Sequence, residues 1–177
     1  MPWTLRLATF DDLPALRVLI PLSVRTLQAA TYTEAQREGA LATVFTVDTQ
    51  LIRDGTYYVA QADDAIVGCG GWSRRKTLYG GDHTAIRDDQ FLDPTSDPAR
   101  VRAFFIHPDW ARRGIGRAIL SECEKAAAAA GFRTVELAAT LAGIPLYEAT
   151  GFAAVEAIDV PLTNGEKLPV VRMRKGL

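Results

Sequence analysis

Two clusters in this chain have residue types and spacings that could carry chemistry. The first is the basic loop Ala111-Arg112-Arg113-Gly114-Ile115-Gly116-Arg117, which follows the apolar run Val101 to Ile106 and the turn His107-Pro108-Asp109-Trp110. An alanine-rich stretch of helical pattern, running to Ala130, comes directly after it. Without a Cβ, Gly114 and Gly116 let the main chain turn sharply and approach a ligand with its N–H groups pointing inward. A helix that starts there offers unpartnered N–H groups and the positive end of its dipole, so the loop is a candidate phosphate cradle. Arg112, Arg113 and Arg117 add charge of the matching sign. The second cluster is Leu146-Tyr147-Glu148-Ala149-Thr150-Gly151-Phe152, whose phenol is either a proton donor or a buried aromatic with its hydroxyl bonded.

Spacing separates the nucleotide readings of the glycine loop. A dinucleotide fingerprint needs a third glycine where this chain has Ile119, and a P-loop needs Gly-Lys-Ser/Thr, which is absent. A tight strand-to-helix turn with no ligand remains open for a lone Gly-x-Gly.

Taken with its flanks, Phe104-Phe105-Ile106-His107-Pro108 followed by Arg112-Arg113-Gly114-Ile115-Gly116-Arg117 resembles motif A of the GCN5-related N-acetyltransferases. Ala111 departs from that pattern, standing where the family usually has Gln or Arg, but main-chain contacts survive a change of side chain. The segment Leu146 to Phe152 is similar to the family's Leu-Tyr-x-x-x-Gly-Phe, and Thr140 stands seven residues before Tyr147, where the family commonly has Asn. The resemblance implies a mixed α/β (α+β) fold with a central, mostly antiparallel sheet and helices on both faces, in a single domain of residues 1–177. It implies acetyl-CoA as acyl donor, held by Phe104, Phe105, Ile106, Arg112, Arg113, Gly114, Ile115, Gly116, Arg117 and Thr140. The strand at Phe104-Phe105-Ile106 would splay from its neighbour so that pantetheine amides pair with its edge, and Tyr147 would lie near the thioester sulfur.

Amine attack on a thioester needs few groups. A lysine-like amine has a pKa of about 10.4, so a base or a water path must take its proton. The departing thiolate has a pKa of about 8.5, and a phenol at about 10 is a competent donor to it, which makes Tyr147 the candidate general acid and predicts a rate that declines as the phenol ionises. An unpaired N–H near Phe105 would serve the developing oxyanion. Glu34, Glu38, Asp82, His83 and Glu136 are base candidates on residue type alone, each equally readable as a solvated charge. The implied function is acetyl transfer to a small-molecule or peptide amine by direct attack in a ternary complex. A catalytically silent acyl-CoA sensor or docking module is the alternative.

The elements that must position these residues are legible in outline. Trp3 to Ala8 alternates as a strand with Trp3, Leu5 and Leu7 on one face. Thr9-Phe10-Asp11-Asp12 then caps a helix carrying Leu13, Leu16, Leu19 and Ile20, with a kink or restart expected at Pro21. A second helical pattern covers Thr33 to Phe45. Tyr57 to Ala62 and Ile66 to Ser73 read as a hairpin turning at Asp63-Asp64, where Gly68, Gly70 and Gly71 signal a bulge or a close approach. Residues 74–100 read as a long loop. After the glycine-loop helix, ended by Gly131, come a strand from Thr134 to Ala138, a short helix from Ala142 to Thr150, and a hairpin of Phe152 to Val160 with Val170 to Arg174. By analogy with the family the acceptor should lie near Tyr32, Trp72 and the 74–100 loop.

Composition narrows the partners. Twenty basic and 21 acidic side chains leave a net charge of −1, so no general basic field exists for nucleic acid or an anionic membrane. No membrane-length apolar run and no signal-peptide core is present, which predicts a cytoplasmic protein. Two cysteines, Cys69 and Cys123, and two distant histidines offer neither a disulfide framework nor a zinc site, and no metal is expected. Oligomeric state stays open, a homodimer included.

Overall fold

A computed structural model describes residues 2–177. In chain order the elements are β1 (Thr4–Leu7), α1 (Leu13–Leu27), α2 (Glu34–Thr43), α3 (Thr49–Arg53), β2 (Tyr57–Ala62), β3 (Ala65–Ser73) and β4 (Ala99–Ile106). There follow α4 (Ile115–Ala129), β5 (Thr134–Thr140), α5 (Ile144–Ala149), β6 (Ala153–Pro161) and β7 (Lys167–Gly176). The strands form one seven-stranded sheet in the order β1-β2-β3-β4-β5-β7-β6, antiparallel except where β4 meets β5. Helices cover both faces, as the mixed fold requires.

Local chemistry explains most boundaries. In α1, Leu16, Leu19, Ile20 and Val24 recur at helical spacing and are buried, each burial contributing about 1.5–3 kcal/mol. That outweighs the roughly 3 kcal/mol that an interior proline costs, so α1 runs through Pro21 instead of restarting there. Thr33 caps α2 by accepting from the Gln36 N–H, while Gln36 returns a bond to the Thr33 N–H. The short α3, not expected from the sequence, is capped by Asp48 through the Gln50 N–H. β1 is an edge strand, and Leu7 is exposed, so its alternation marks a half-covered face only.

Residues 74–100 are tied down more firmly than a long loop. Arg75 and Phe91 form an antiparallel bridge, flanked by Lys76 N–H to Gln90 O at 3.0 Å and Leu92 N–H to Arg74 O at 2.8 Å. Arg75 also forks onto Asp54, and β4 begins at Ala99.

The sheet separates two buried cores. One, under α1, α2 and α3, contains Leu16, Phe45, Leu51, Tyr57 and Phe105. The other, under α4 and α5, contains Trp72, Ile119, Phe132, Tyr147 and Phe152. No helix among the described residues is long and apolar enough to cross a membrane.

Candidate active site

β4 and β5 pair only at Ala99 with Val135 and Arg100 with Glu136; beyond these the strands part. A cleft of about 560 Å³, counting the part open to solvent, occupies the gap. Its wall takes Phe45, Tyr79 and Arg102 from the α1 side, Phe104 and Tyr147 from the α4 side, and Thr140 from the end of β5, so the gap joins the two faces of the sheet.

The β4 wall is shaped by a bulge. Gly71 pairs with Arg102 and Cys69 with Phe105, which leaves Ala103 and Phe104 opposite the single residue Gly70. Ala103 adopts a φ of 60°, in the left-handed region, and its carbonyl accepts from the Tyr57 hydroxyl at 3.0 Å. Gly70 is required by the close approach: a Cβ there would stand 2.6 Å from Phe104 Cδ2. The glycines of β3 therefore serve packing. Phe105 turns its ring into the α1-side core against Phe45, leaving only its main chain for a ligand. The Ile106 N–H donates to Ser23 Oγ at 3.1 Å and is thus already partnered.

Tyr147, on α5, packs edge-on against Phe104 and Phe152, with ring centroids 6.5 and 5.7 Å away. Its hydroxyl has no hydrogen-bond partner among the described residues, which the alternative of a bonded core tyrosine would require. Burial pushes the phenol well above its ordinary value, with a small contribution from Cys123. Thr140, at the end of β5, accepts from the Gly143 N–H through its carbonyl, and its hydroxyl lies on the cleft.

The glycine loop begins α4 as the sequence implies. Gly114 is the N-cap with a φ of 83°, and Arg112 just before it has a φ of 63°. Two left-handed residues bracketing a helix start turn successive N–H groups toward one side. Arg112, Arg113 and Gly114 are exposed, and the Arg113 guanidinium lies over the Trp110 ring at 4.9 Å. Ile115 is buried in the α4-side core, so its main chain alone faces outward. A Cβ on Gly116 would meet Leu146 Cδ2 at 3.2 Å, which links the loop to α5. Arg117 lies on the flank of α4 beside Glu124, Thr150 and Lys175.

The five base candidates are not brought together. Glu136 is buried and held by Arg100, Arg172 and Arg174. Glu38 pairs with Arg25 at the surface, Asp82 accepts from Thr49, and His83 and Glu34 are exposed. None of the five lines the cleft. Tyr32 is buried with its hydroxyl donating to Pro169 O and accepting from the Leu141 N–H, and Trp72 lies in the α4-side core. Neither lines the cleft, whereas Tyr79 of the 74–100 segment does. Arg102 and Asp48 were missed. The available signal was a charged residue inside the apolar run Val101 to Ile106, which a buried strand tolerates only with a partner.

Known proteins supply an independent comparison. The family model described as an acetyltransferase (GNAT) domain matches residues 53–154. A GCN5-related N-acetyltransferase structure from Rhodopseudomonas palustris is 20% identical with a TM-score of 0.74, covering 100% of this chain and 97% of that one. The PaiA N-acetyltransferase from Thermoplasma acidophilum, solved in complex with coenzyme A, is 15% identical with a TM-score of 0.67 and full coverage of both chains. A ribosomal-protein-alanine N-acetyltransferase from Brucella melitensis is 19% identical with a TM-score of 0.64, covering 98% of this chain and 99% of that one. At such identities the likeness is one of fold. No curated protein matches the sequence.

Proposed function

This chain belongs to the acetyltransferase (GNAT) family, and from that premise we propose that it transfers the acetyl group of acetyl-CoA to the amine of a small molecule or peptide by direct attack in a ternary complex. Residues 1–177 act as one domain in this reading. The observation that carries it is the break between β4 and β5, which opens a cleft through the sheet with a glycine-started helix on one side and the Tyr147 hydroxyl in its wall.

The residues fit such a donor. Main-chain N–H groups at Arg113 to Gly116, bracketed by the left-handed Arg112 and Gly114, take the pyrophosphate, with Arg112, Arg113 and Arg117 nearby for charge. The edge of β4 at Phe104 and Phe105, together with Thr140, lines the pantetheine path, which the parting of the strands supports, while the Ile106 N–H stays with Ser23. When bound, acetyl-CoA supplies an activated thioester carbon. The bulge at Ala103 and Phe104 takes main-chain amides out of the ladder, and these face the carbonyl oxygen as it gains charge. Attack forms an N–C bond and breaks the C–S bond; Tyr147 gives its proton to the departing sulfur and recovers one from solvent. Because none of the five acidic or histidine candidates lines the cleft, the amine proton leaves through water.

The test joins binding to turnover. Acetyl-CoA at about 100 times its dissociation constant should add roughly 2.7 kcal/mol to the folded state and raise the thermal midpoint, whereas NADH should not. Free thiol should then appear faster than background hydrolysis with at least one member of an amine panel. Stabilisation by NADH and none by acetyl-CoA would sink the reading.

A further inference from the structure

Arg102 is buried where the cleft crosses to the α1 face of the sheet, with a side chain 1% exposed. Its Nη2 stands 2.9 Å from Asp48 Oδ2, close enough for an ion pair but off the hydrogen-bond direction. Nη2 has only this ion pair with Asp48 Oδ2, which is otherwise unbonded, and Nε and Nη1 have no hydrogen-bond partner among the described residues. A guanidinium carries five N–H donors in a planar fork, and buried donors are ordinarily satisfied.

Charge points the same way. Asp48 is fully buried and is shared by Arg102 and Arg87, the second at 3.4 Å. Arg87 has a second carboxylate of its own, the half-exposed Asp89 at 3.1 Å. Arg102 thus shares its one buried carboxylate with a second guanidinium, and a further acceptor such as a ligand carboxylate would satisfy the donors that Asp48 leaves open. The wall beside Arg102 is apolar: Val44, Phe45, Leu78 and the Tyr79 ring.

We propose that the acceptor is an amine that also carries a carboxylate and an apolar substituent, and that Arg102 binds the carboxylate on the α1 face of the cleft, across the sheet from the acyl donor. The inference rests on the acetyl-transfer reading above. It assigns Arg102 to acceptor binding and leaves the glycine loop to the donor.

Matched amines decide it. Leucine, phenylalanine and methionine, each beside its amide and its decarboxylated amine, are offered with acetyl-CoA to the full chain, and thiol release is followed. Charge-assisted, bidentate contacts predict a kcat/KM about 10- to 100-fold higher for the acids than for either counterpart. With CoA present, the acids and the amine-free 4-methylpentanoate should raise the thermal midpoint, while amides and simple amines should not. Arg102→Lys keeps a charge opposite Asp48 but loses the fork. Its preference for acids should fall to within about threefold, through KM, with acetyl-CoA stabilisation retained.

Equal turnover of acids and amides, or a preference that survives in folded Arg102→Lys, overturns the assignment. So does a protein stabilised by acetyl-CoA that neither binds nor acetylates any acid of the panel. If Arg102→Lys does not fold, competition by 4-methylpentanoate against the amine in the unaltered protein decides instead, and its absence counts against the proposal. Failure of acetyl-CoA to bind, with no thiol release from any amine, would overturn the acetyl-transfer reading itself.

Discussion

The Tyr57 hydroxyl of β2 donates a 3.0 Å hydrogen bond to the carbonyl of Ala103, two strands away, where β4 takes its left-handed bulge residue. This bond crosses the α1-side core and supports a backbone conformation that alanine adopts only with help. Tyr57→Phe keeps the buried ring and removes the donor. It should cost about 1–3 kcal/mol, and a domain of this size loses roughly 2–4 °C of midpoint per kcal/mol. Calorimetry reads it directly, and a midpoint unchanged within about one degree would show that the bulge stands by its own packing.

Tyr147→Phe should lower turnover by about 10² to 10⁴-fold, the usual range for general acid catalysis, with little change in acetyl-CoA affinity. A variant within about threefold of the parent would return Tyr147 to a packing role.

The alkaline limb expected from the sequence alone shifts with burial. Only the protonated phenol donates, and burial raises its pKa, so the donor form persists to higher pH than a solvated phenol at about 10 would allow. Turnover should therefore show no Tyr147-dependent decline up to about pH 10. A decline centred there in the parent and missing from the Phe variant would mean that water reaches the hydroxyl in the working enzyme.

The two loop glycines should separate. Gly114 sits at a φ of 83° in open space, so Gly114→Ala should cost about 1–2 kcal/mol in backbone strain alone. Gly116→Val adds branches beside Leu146 and the loop amides and should abolish acetyl-CoA stabilisation in a folded protein. Normal stabilisation by acetyl-CoA in Gly116→Val would reduce the loop to a turn.

Glu136 joins Arg100 of β4 to Arg172 and Arg174 of β7 from its place on β5. Glu136→Ala would leave arginines facing one another, of which Arg174 is half exposed and can turn to solvent. A loss of about 3 kcal/mol is expected in chemical denaturation, a large share of ordinary domain stability. A loss below about 1 kcal/mol would show that water replaces the carboxylate.

Acid should weaken the fold through Asp54. The hydrogen bonds from Arg75, and then from Gln50, outweigh burial and hold its carboxyl below the ordinary 3.8. A depressed folded pKa means that the unfolded chain binds the proton first, so this contribution is whole above about pH 4–5 and is lost as pH falls through the folded value. Asp54→Asn should flatten the stability profile below that point, and an unchanged acid slope would remove the pair from the account.

Much of this arrangement was legible because local pattern and tertiary demand agree. The glycine loop, the hairpins and the amphipathic helices carry their own turn residues and apolar stripes. Of the features that were not legible, three show how a distant partner decides the outcome. Pro21 sits inside α1 since the core outweighs its lost bond. Residues 74–92 are ordered by backbone pairing and by Arg75 on Asp54, which leave no periodic trace in the sequence. Tyr32 and Trp72 looked available for an acceptor until their environments, a pair of main-chain bonds and the opposite core, accounted for them.

The narrow seam between β4 and β5 also bears on how the molecule assembles. β1 to β4 are neighbours in both chain and sheet, and β6 and β7 form their own hairpin, so most pairing is settled before the two residue pairs of the seam close. Each half-sheet is then a natural cooperative unit, and the seam is where they can part at least expense. Native-state hydrogen exchange should find the amides of β2 and β3 protected together, those of β5 and β7 as a second group, and the seam opening ahead of both. The β1 to β4 meander emerges first during synthesis, yet its α4 face stays bare until residues 115–129 follow, which makes that interval the one most exposed to misassociation.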